Sequence, residues 1–165
     1  MRLDPFTLFL DENHSSNRHI LKVLAENLDV SERVVRAGVD PGFPSGMLDE
    51  DWLPVVGRNG WIVISADTRI WRRSVLREVL FQHGVRAFFF TENNLRGELR
   101  AEILRNALPE MRAIVRDSPP PFAASLTIEG HAHVIFDKAG HRKALREEKA
   151  GKAKTARRKK QPKEN

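Results

Sequence analysis

Two short apolar runs, each ending abruptly in carboxylates, constrain this chain more than any other feature. Phe6-Thr7-Leu8-Phe9-Leu10 runs into Asp11-Glu12-Asn13, and Trp61-Ile62-Val63-Ile64-Ser65 runs through Ala66 into Asp67. Runs of this length with almost no polar alternation suit strands buried on both faces, as in the middle of a parallel sheet. Between them, Ile20, Leu21, Val23, Leu24 and Leu28 recur at helical spacing behind Ser15 and Ser16, either of which can cap a helix. A strand, a helix and a second buried strand cannot form a simple hairpin. They call for a crossover connection and a sheet covered by helices.

The remaining elements continue that alternation. Val30 to Ala37, around Val34-Val35, reads as a strand, followed by a Gly- and Pro-rich loop. Asp49-Glu50-Asp51 opens a short helix carrying Trp52, Leu53, Val55 and Val56, with acids where the helix dipole favours them. Ile70 to His83 reads as one helix burying Ile70, Val75, Leu76, Val79 and Leu80, stopped by Gly84. Val85 to Phe90 is β-rich, and Leu95 to Val115 is a long amphipathic helix expected to bend or restart at Pro109. After the stiff Ser118-Pro119-Pro120-Pro121 connector, Phe122 to Ile128 and His133 to Phe136 flank Glu129-Gly130 as a hairpin. The expected class is α/β, a mostly parallel central sheet flanked by helices in three layers, closed by a C-terminal β-hairpin and a basic tail.

The net charge of +6 is unevenly spread: residues 138–165 hold 12 Lys and Arg against 3 acids, leaving the rest mildly acidic at −3. Residues 1–137 are therefore expected to form the one folded domain. Residues 138–165 should be an unordered basic tail, too poor in large apolar side chains to order itself, although helix could form on a partner. Such a tail would attract nucleic acid nonspecifically. With no cysteine, disulfides, thiolate metal sites and cysteine nucleophiles are excluded, which suits a cytoplasmic protein. The N-terminal apolar stretch is too short for a membrane span and is followed by acids, so neither export nor membrane insertion is expected.

A body with excess acid needs a use for it. Ligands in open α/β sheets bind beyond the carboxyl ends of the strands, so Asp11 and Asp67 converge there if their strands are neighbours. Hard divalent cations take a few carboxylates and fill their remaining positions with water and phosphate. The competing reading makes the same acids helix caps and dipole partners. The six histidines show no metal-ligand spacing, and no phosphate-binding glycine loop or nucleophilic serine motif is present.

The motifs in order, L-D-E-N at Leu10 to Asn13, D-E-x-W-L ending at Trp52-Leu53, G-W-I-V-I-S-A-D-T-R-I, then F-F-F-T and P-P-P-F, resemble the PIN-like domains of VapC-type toxins over roughly residues 5–137. The resemblance implies catalytic acids at Asp11, at Asp49 or Glu50, and at Asp67. It further implies Mg²⁺ or Mn²⁺ held by Asp11, Asp49 and Asp67, with Glu12 and Asn13 auxiliary. The sequence departs from that pattern twice. Arg69 stands where many relatives have a second acid, and only Glu92 is charged in the segment where a late acid is usual. Fewer acids favour one metal over two. Arg69, Arg72 and Arg73 either hold RNA phosphates or form a solvated helix face.

The function this implies is a metal-dependent endoribonuclease, the toxin of a toxin–antitoxin pair, with RNA as substrate. The alternative is a catalytically weak PIN-like protein that binds RNA or ribosomes. Expected partners are an antitoxin or a second copy of the chain. Trp52, Trp71, Phe81 and Phe43 are the aromatics that could form an apolar association face.

Overall fold

A computed structural model describes residues 6–160, so the expected boundaries at residues 1 and 165 lie outside the described residues. The first apolar run forms β1 (Thr7–Leu10), followed by α1 (Arg18–Asn27), β2 (Arg33–Arg36), α2 (Asp49–Asn59) and β3 (Ile62–Ser65). Then come α3 (Arg69–Arg72), α4 (Ser74–Gln82), β4 (Arg86–Phe90), α5 (Gly97–Asp117), β5 (Phe122–Leu126), β6 (Ala132–Asp137) and α6 (Lys138–Lys160). One six-stranded sheet in the order β2-β1-β3-β4-β5-β6 joins them, all neighbours parallel except the β5–β6 hairpin. The expected mostly parallel α/β architecture and its terminal hairpin are both present.

Strand alternation divides the core in two. Leu8, Leu10, Ile62, Ile64, Phe88 and Phe90 face α1 and α5, while Phe9, Val63, Ala87 and Phe89 face α2, α3 and α4. This gives the third layer and explains why the strands read as continuous apolar runs: both faces are covered. The chain leaves β1 toward β2, then returns past β1 to β3, so the direction of winding reverses between β1 and β3. The carboxyl ends of strands at such a reversal open into a crevice. Because α5 packs beside α1, the β4–α5–β5 crossover has the opposite hand to the β3–α4–β4 crossover. That uncommon hand brings the start of α5 to the end of β1.

Three local expectations differ from what forms. The helix expected from Ile70 to His83 breaks at Arg73, whose extended backbone separates α3 from α4. The break resets the helical face: Val75 is 73% exposed, and Arg77 turns inward. Helix α5 runs unbroken through Pro109, because the missing amide bond is outweighed by burial of Leu104, Ala107, Leu108 and Met111 along the same helix. Residues 138–160, expected to be unordered, form α6. Ala, Lys, Arg and Glu are strong helix formers, and the first half of α6 is attached to the body. His141 is buried, stacked on Phe81 at 4.4 Å, and Glu148 pairs with Arg77 at 2.7 Å. No helix among the described residues is long and apolar enough to cross a membrane.

The aromatics suggested as an association face are mostly interior. Phe43, Trp52 and Phe81 are buried, and Trp71 is half-buried near Phe136.

Gly57 on α2 is a position the sequence pattern does not reveal. A Cβ there would lie 2.2 Å from the His83 carbonyl oxygen just past α4, so the two helices meet backbone to backbone. Gly57→Ala is therefore expected to destabilise by about 1–3 kcal/mol, despite alanine's better helix propensity. Thermal melting should fall by about 2–4 °C per kcal/mol, and an unchanged or raised midpoint would contradict the packing.

Candidate active site

The β1–β3 register pairs Leu10 with Ile64, so the next residue on each strand, Asp11 and Ser65, stand side by side. The Ser65 hydroxyl donates to Asp11 Oδ2 at 2.5 Å and accepts the Asp67 amide at 3.0 Å, linking the two acids that end β1 and β3. Asp49, the first residue of α2, completes the wall. Asp11, Glu12, Asn13, Asp49, Asp67 and Arg69 line one cleft of about 350 Å³, floored by Phe43, Trp52 and Ile70. A second lobe of about 540 Å³ shares Asn13, Asp67 and Arg69 with the first and adds His14, Thr68, Asn93 and Arg100.

Each acid has a distinct environment. Asp11 is 8% exposed and accepts from Ser65, from the His14 amide at 3.1 Å and from the His14 ring. Asp67 accepts both the Nε and Nη2 of Arg69, at 2.8 and 2.6 Å, and this pairing holds its carboxyl below the usual range against the opposing effect of burial. Burial pushes Asp49 the other way, above its ordinary value. The Asp67 and Glu50 carboxylates add to the rise, while the Trp52 indole and Arg69 oppose it. Glu12 is exposed and accepts from the Ser45 hydroxyl and, at 2.8 Å, the Gly46 amide, which hold it below the ordinary range and tie the β2–α2 loop to the cleft.

The structure separates residues that the sequence left together. Glu50 does not line the cleft; it faces a different depression with Arg73, Ser74, Val75 and Leu76. Of Arg69, Arg72 and Arg73, only Arg69 lines the cleft. Arg72 lies over the Trp71 ring, 5.3 Å from its centroid, and Arg73 lines the depression that holds Glu50. Glu92 lines neither lobe, and the nearby Asn93 carbonyl accepts from Arg100 at 2.7 Å.

His14 is the residue that sequence reasoning missed. It is 0% exposed, its ring stacks on Phe90 at 5.4 Å, Nδ1 meets Asp11 Oδ1, and Nε2 lies 2.9 Å from Arg100 Nη1. A guanidinium can only donate, so Nε2 accepts and the ring hydrogen sits on Nδ1, pointed at Asp11. The sequence signal was thin: a histidine three residues after a strand-ending acid. Only α5, folded back beside α1, supplies the arginine that fixes the tautomer.

The donor set suits a hard cation, since every carboxylate at the cleft offers oxygen, and Asp49, raised by burial and by Asp67, would gain from a cation beside it. Among the described residues, no three His, Asp or Glu are arranged as a ligand set, because Asp67 faces Arg69 and Asp11 faces Ser65 and His14. Asp67 would have to exchange Arg69 for a cation.

The Asp49 shift has a testable sign. A carboxyl whose folded pKa is raised costs the folded state once it ionises, so the penalty is present at neutral pH and disappears below the unfolded value. Asp49→Asn retains the oxygen that accepts from Trp52. In chelator it should melt higher than wild type at pH 7, with the gap closing toward pH 4. A lower melting point at pH 7 would refute the raised assignment.

A family model described as a PIN-like domain matches residues 6–92, from the first strand to just beyond β4. No curated protein and no solved structure matches the chain. The matched segment is more than half of the sequence and contains Asp11, Asp49 and Asp67 together with the reversal in strand order between them. This chain belongs to the PIN-like domain family, whose members are in general nucleases.

Proposed function

We propose that the protein is a Mg²⁺- or Mn²⁺-dependent endoribonuclease. The observation that carries this reading is the meeting of Asp11, Asp49 and Asp67 in one cleft at the strand-order reversal, with Asp49 held above its ordinary pKa by burial and then by its acidic neighbour Asp67. Asp11, Asp49 and Asp67 would hold the cation, with Glu12 at the rim. Bound there, a divalent ion supplies Lewis-acid polarisation of the phosphodiester and lowers the pKa of water.

The chain's own groups prepare the cleft for that task. Ser65 and His14 fix the orientation of Asp11, so this carboxylate does not have to be ordered when substrate arrives. Arg69 stands between the two lobes and presents a planar fork that matches a phosphate. Exchanging Asp67 for a phosphate as its partner would release the carboxylate as the strand enters. Thr68, Asn93 and Arg100 then offer polar contacts to the neighbouring nucleotide in the second lobe.

The Asp67–Arg69 pair also favours a second reading, a PIN-like protein that binds RNA and cleaves it weakly, because the pair competes with a cation for the same carboxylate. Cleavage of a labelled structured RNA in Mg²⁺, Mn²⁺ or chelator separates the two. Indifference to chelator rejects the metal mechanism, and absence of cleavage in either metal favours the binder. Pairing with an antitoxin and the toxin role rest on the motif resemblance, and cytoplasmic residence rests on the absence of cysteine. Copurification of a small DNA-binding protein that blocks cleavage is the test of that role.

A further inference from the structure

Helix α6 carries eleven Lys and Arg against two Glu, and its two halves differ. The first half is attached to the body through His141 and Glu148, with Ala144 and Leu145 partly buried between them. Beyond Glu148 every residue from 149 to 160 is exposed, and these twelve hold seven Lys and Arg and no acid. The inward stripe continues past the anchors, because 141, 145, 148, 152, 155 and 159 recur at helical spacing. Where a packed helix would place apolar side chains, this stripe has Lys152, Thr155 and Lys159.

Those three residues form one wall of a groove of about 720 Å³, with Ser74 at the start of α4 on the opposite side. The one acid lining the groove, Glu148, is already paired with Arg77. Ser74 is shared with the adjoining depression that holds Arg73, and α3 leads from there back to Arg69 in the cleft. A track that holds Arg69 and Arg73, with Glu50 also in its lining, thus runs from the acidic cleft past Ser74 to the underside of α6.

We propose that the second half of α6 is an oriented arm that grips the phosphodiester backbone of RNA in this groove, on the path of a strand leaving the cleft. The proposal rests on the ribonuclease reading for the identity of the strand, but its test reads binding alone. Lys152 and Lys159, the two of the seven that line the groove, fit a polyanion that passes between α6 and α4, while the other five lie elsewhere around the helix. Lysines spread evenly around the helix would only raise the general charge.

The experiment uses the full chain in chelator and follows the affinity for a short labelled RNA duplex as salt rises from about 50 to 200 mM. Each phosphate contact contributes about 0.9 to the logarithmic salt slope on a duplex, with B-DNA as the reference. Lys152→Gln/Lys159→Gln should therefore flatten the slope by roughly 1.8. Lys154→Gln/Arg157→Gln, with the same charge change on the outward face, should flatten it much less. Equal flattening by both pairs, or none by the inward pair, overturns the oriented arm. Stronger binding to a DNA duplex of the same sequence overturns the RNA assignment. Loss of binding to acidic phospholipid vesicles without loss of RNA binding would assign the groove to a membrane surface instead. Because chelator suppresses metal-dependent cleavage, these results stand whether or not the protein proves to be a nuclease.

Discussion

Asp67→Ala is expected to abolish metal-dependent RNA cleavage while leaving a folded protein. Asp67 sits between the two lobes of the cleft, next to Asp49 in electrostatic terms and linked to Asp11 through Ser65. Removing one electrostatic group that acts on a transition state costs about 10²–10³-fold, and loss of a metal-holding carboxylate should cost at least that much. Simple relief of acid crowding predicts that Asp67→Ala or Asp11→Asn would be neutral or stabilising without metal. The structure assigns that relief elsewhere. Asp67 is stabilised by Arg69, and Asp11 is satisfied by Ser65 and His14, so the destabilised acid is Asp49, first through burial and then through the Asp67 carboxylate. Asp67→Ala should accordingly melt slightly below wild type in chelator, since an exposed ion pair contributes little. Wild type in Mn²⁺ at a hundredfold excess over Kd should gain roughly 2.7 kcal/mol, a rise of about 5–10 °C. The Asp67→Ala protein should gain far less. Equal cleavage by the two proteins would sink the metal-nuclease reading.

Substituting His14 should have the next largest effect, although this side chain does not itself line up as a ligand. Its Nδ1 hydrogen points at Asp11, and its tautomer is fixed by Arg100. Partners that orient a metal-holding carboxylate typically matter by 10–100-fold in metal affinity or activity. His14→Phe keeps an aromatic ring against Phe90 but removes the donor, so activity should fall by about 10–100-fold, chiefly through a higher Mn²⁺ requirement. His14→Asn can still present a side-chain N–H near the old Nδ1 position and should recover part of the loss. The readout is therefore a titration of cleavage against Mn²⁺, with melting curves to show that both variants fold. If His14→Phe and His14→Asn lose activity equally with an unchanged metal requirement, His14 has only a packing role.

Much of this protein was determined by local sequence. The uninterrupted apolar runs at Thr7–Leu10 and Ile62–Ser65 specified buried strands, because only a sheet covered on both faces can use side chains of both orientations. Asp11 and Asp67 were legible as candidate site residues because each follows such a strand within two residues. The hairpin of β5 and β6 was also local, set by two β-rich runs around Glu129-Gly130. What followed from spacing alone was less secure. Asp49 and Glu50 are adjacent in sequence, and only the placement of α2 put the first in the cleft and the second outside it.

Long-range packing decided the rest. The break at Arg73 turned Val75 out and Arg77 in, where Arg77 found Glu148 of a helix that composition by itself could not anchor. Pro109 remains inside α5 because burial of the helix on both sides outweighs one lost hydrogen bond. His14 joined the site because the second hand of crossover set Arg100 against it, a partner 86 residues away. Local sequence records the period and polarity of an element, which decide what it buries. Partners distant in the chain meet only through the winding of the sheet, so the acids were visible from the sequence while the groups that orient and balance them were not.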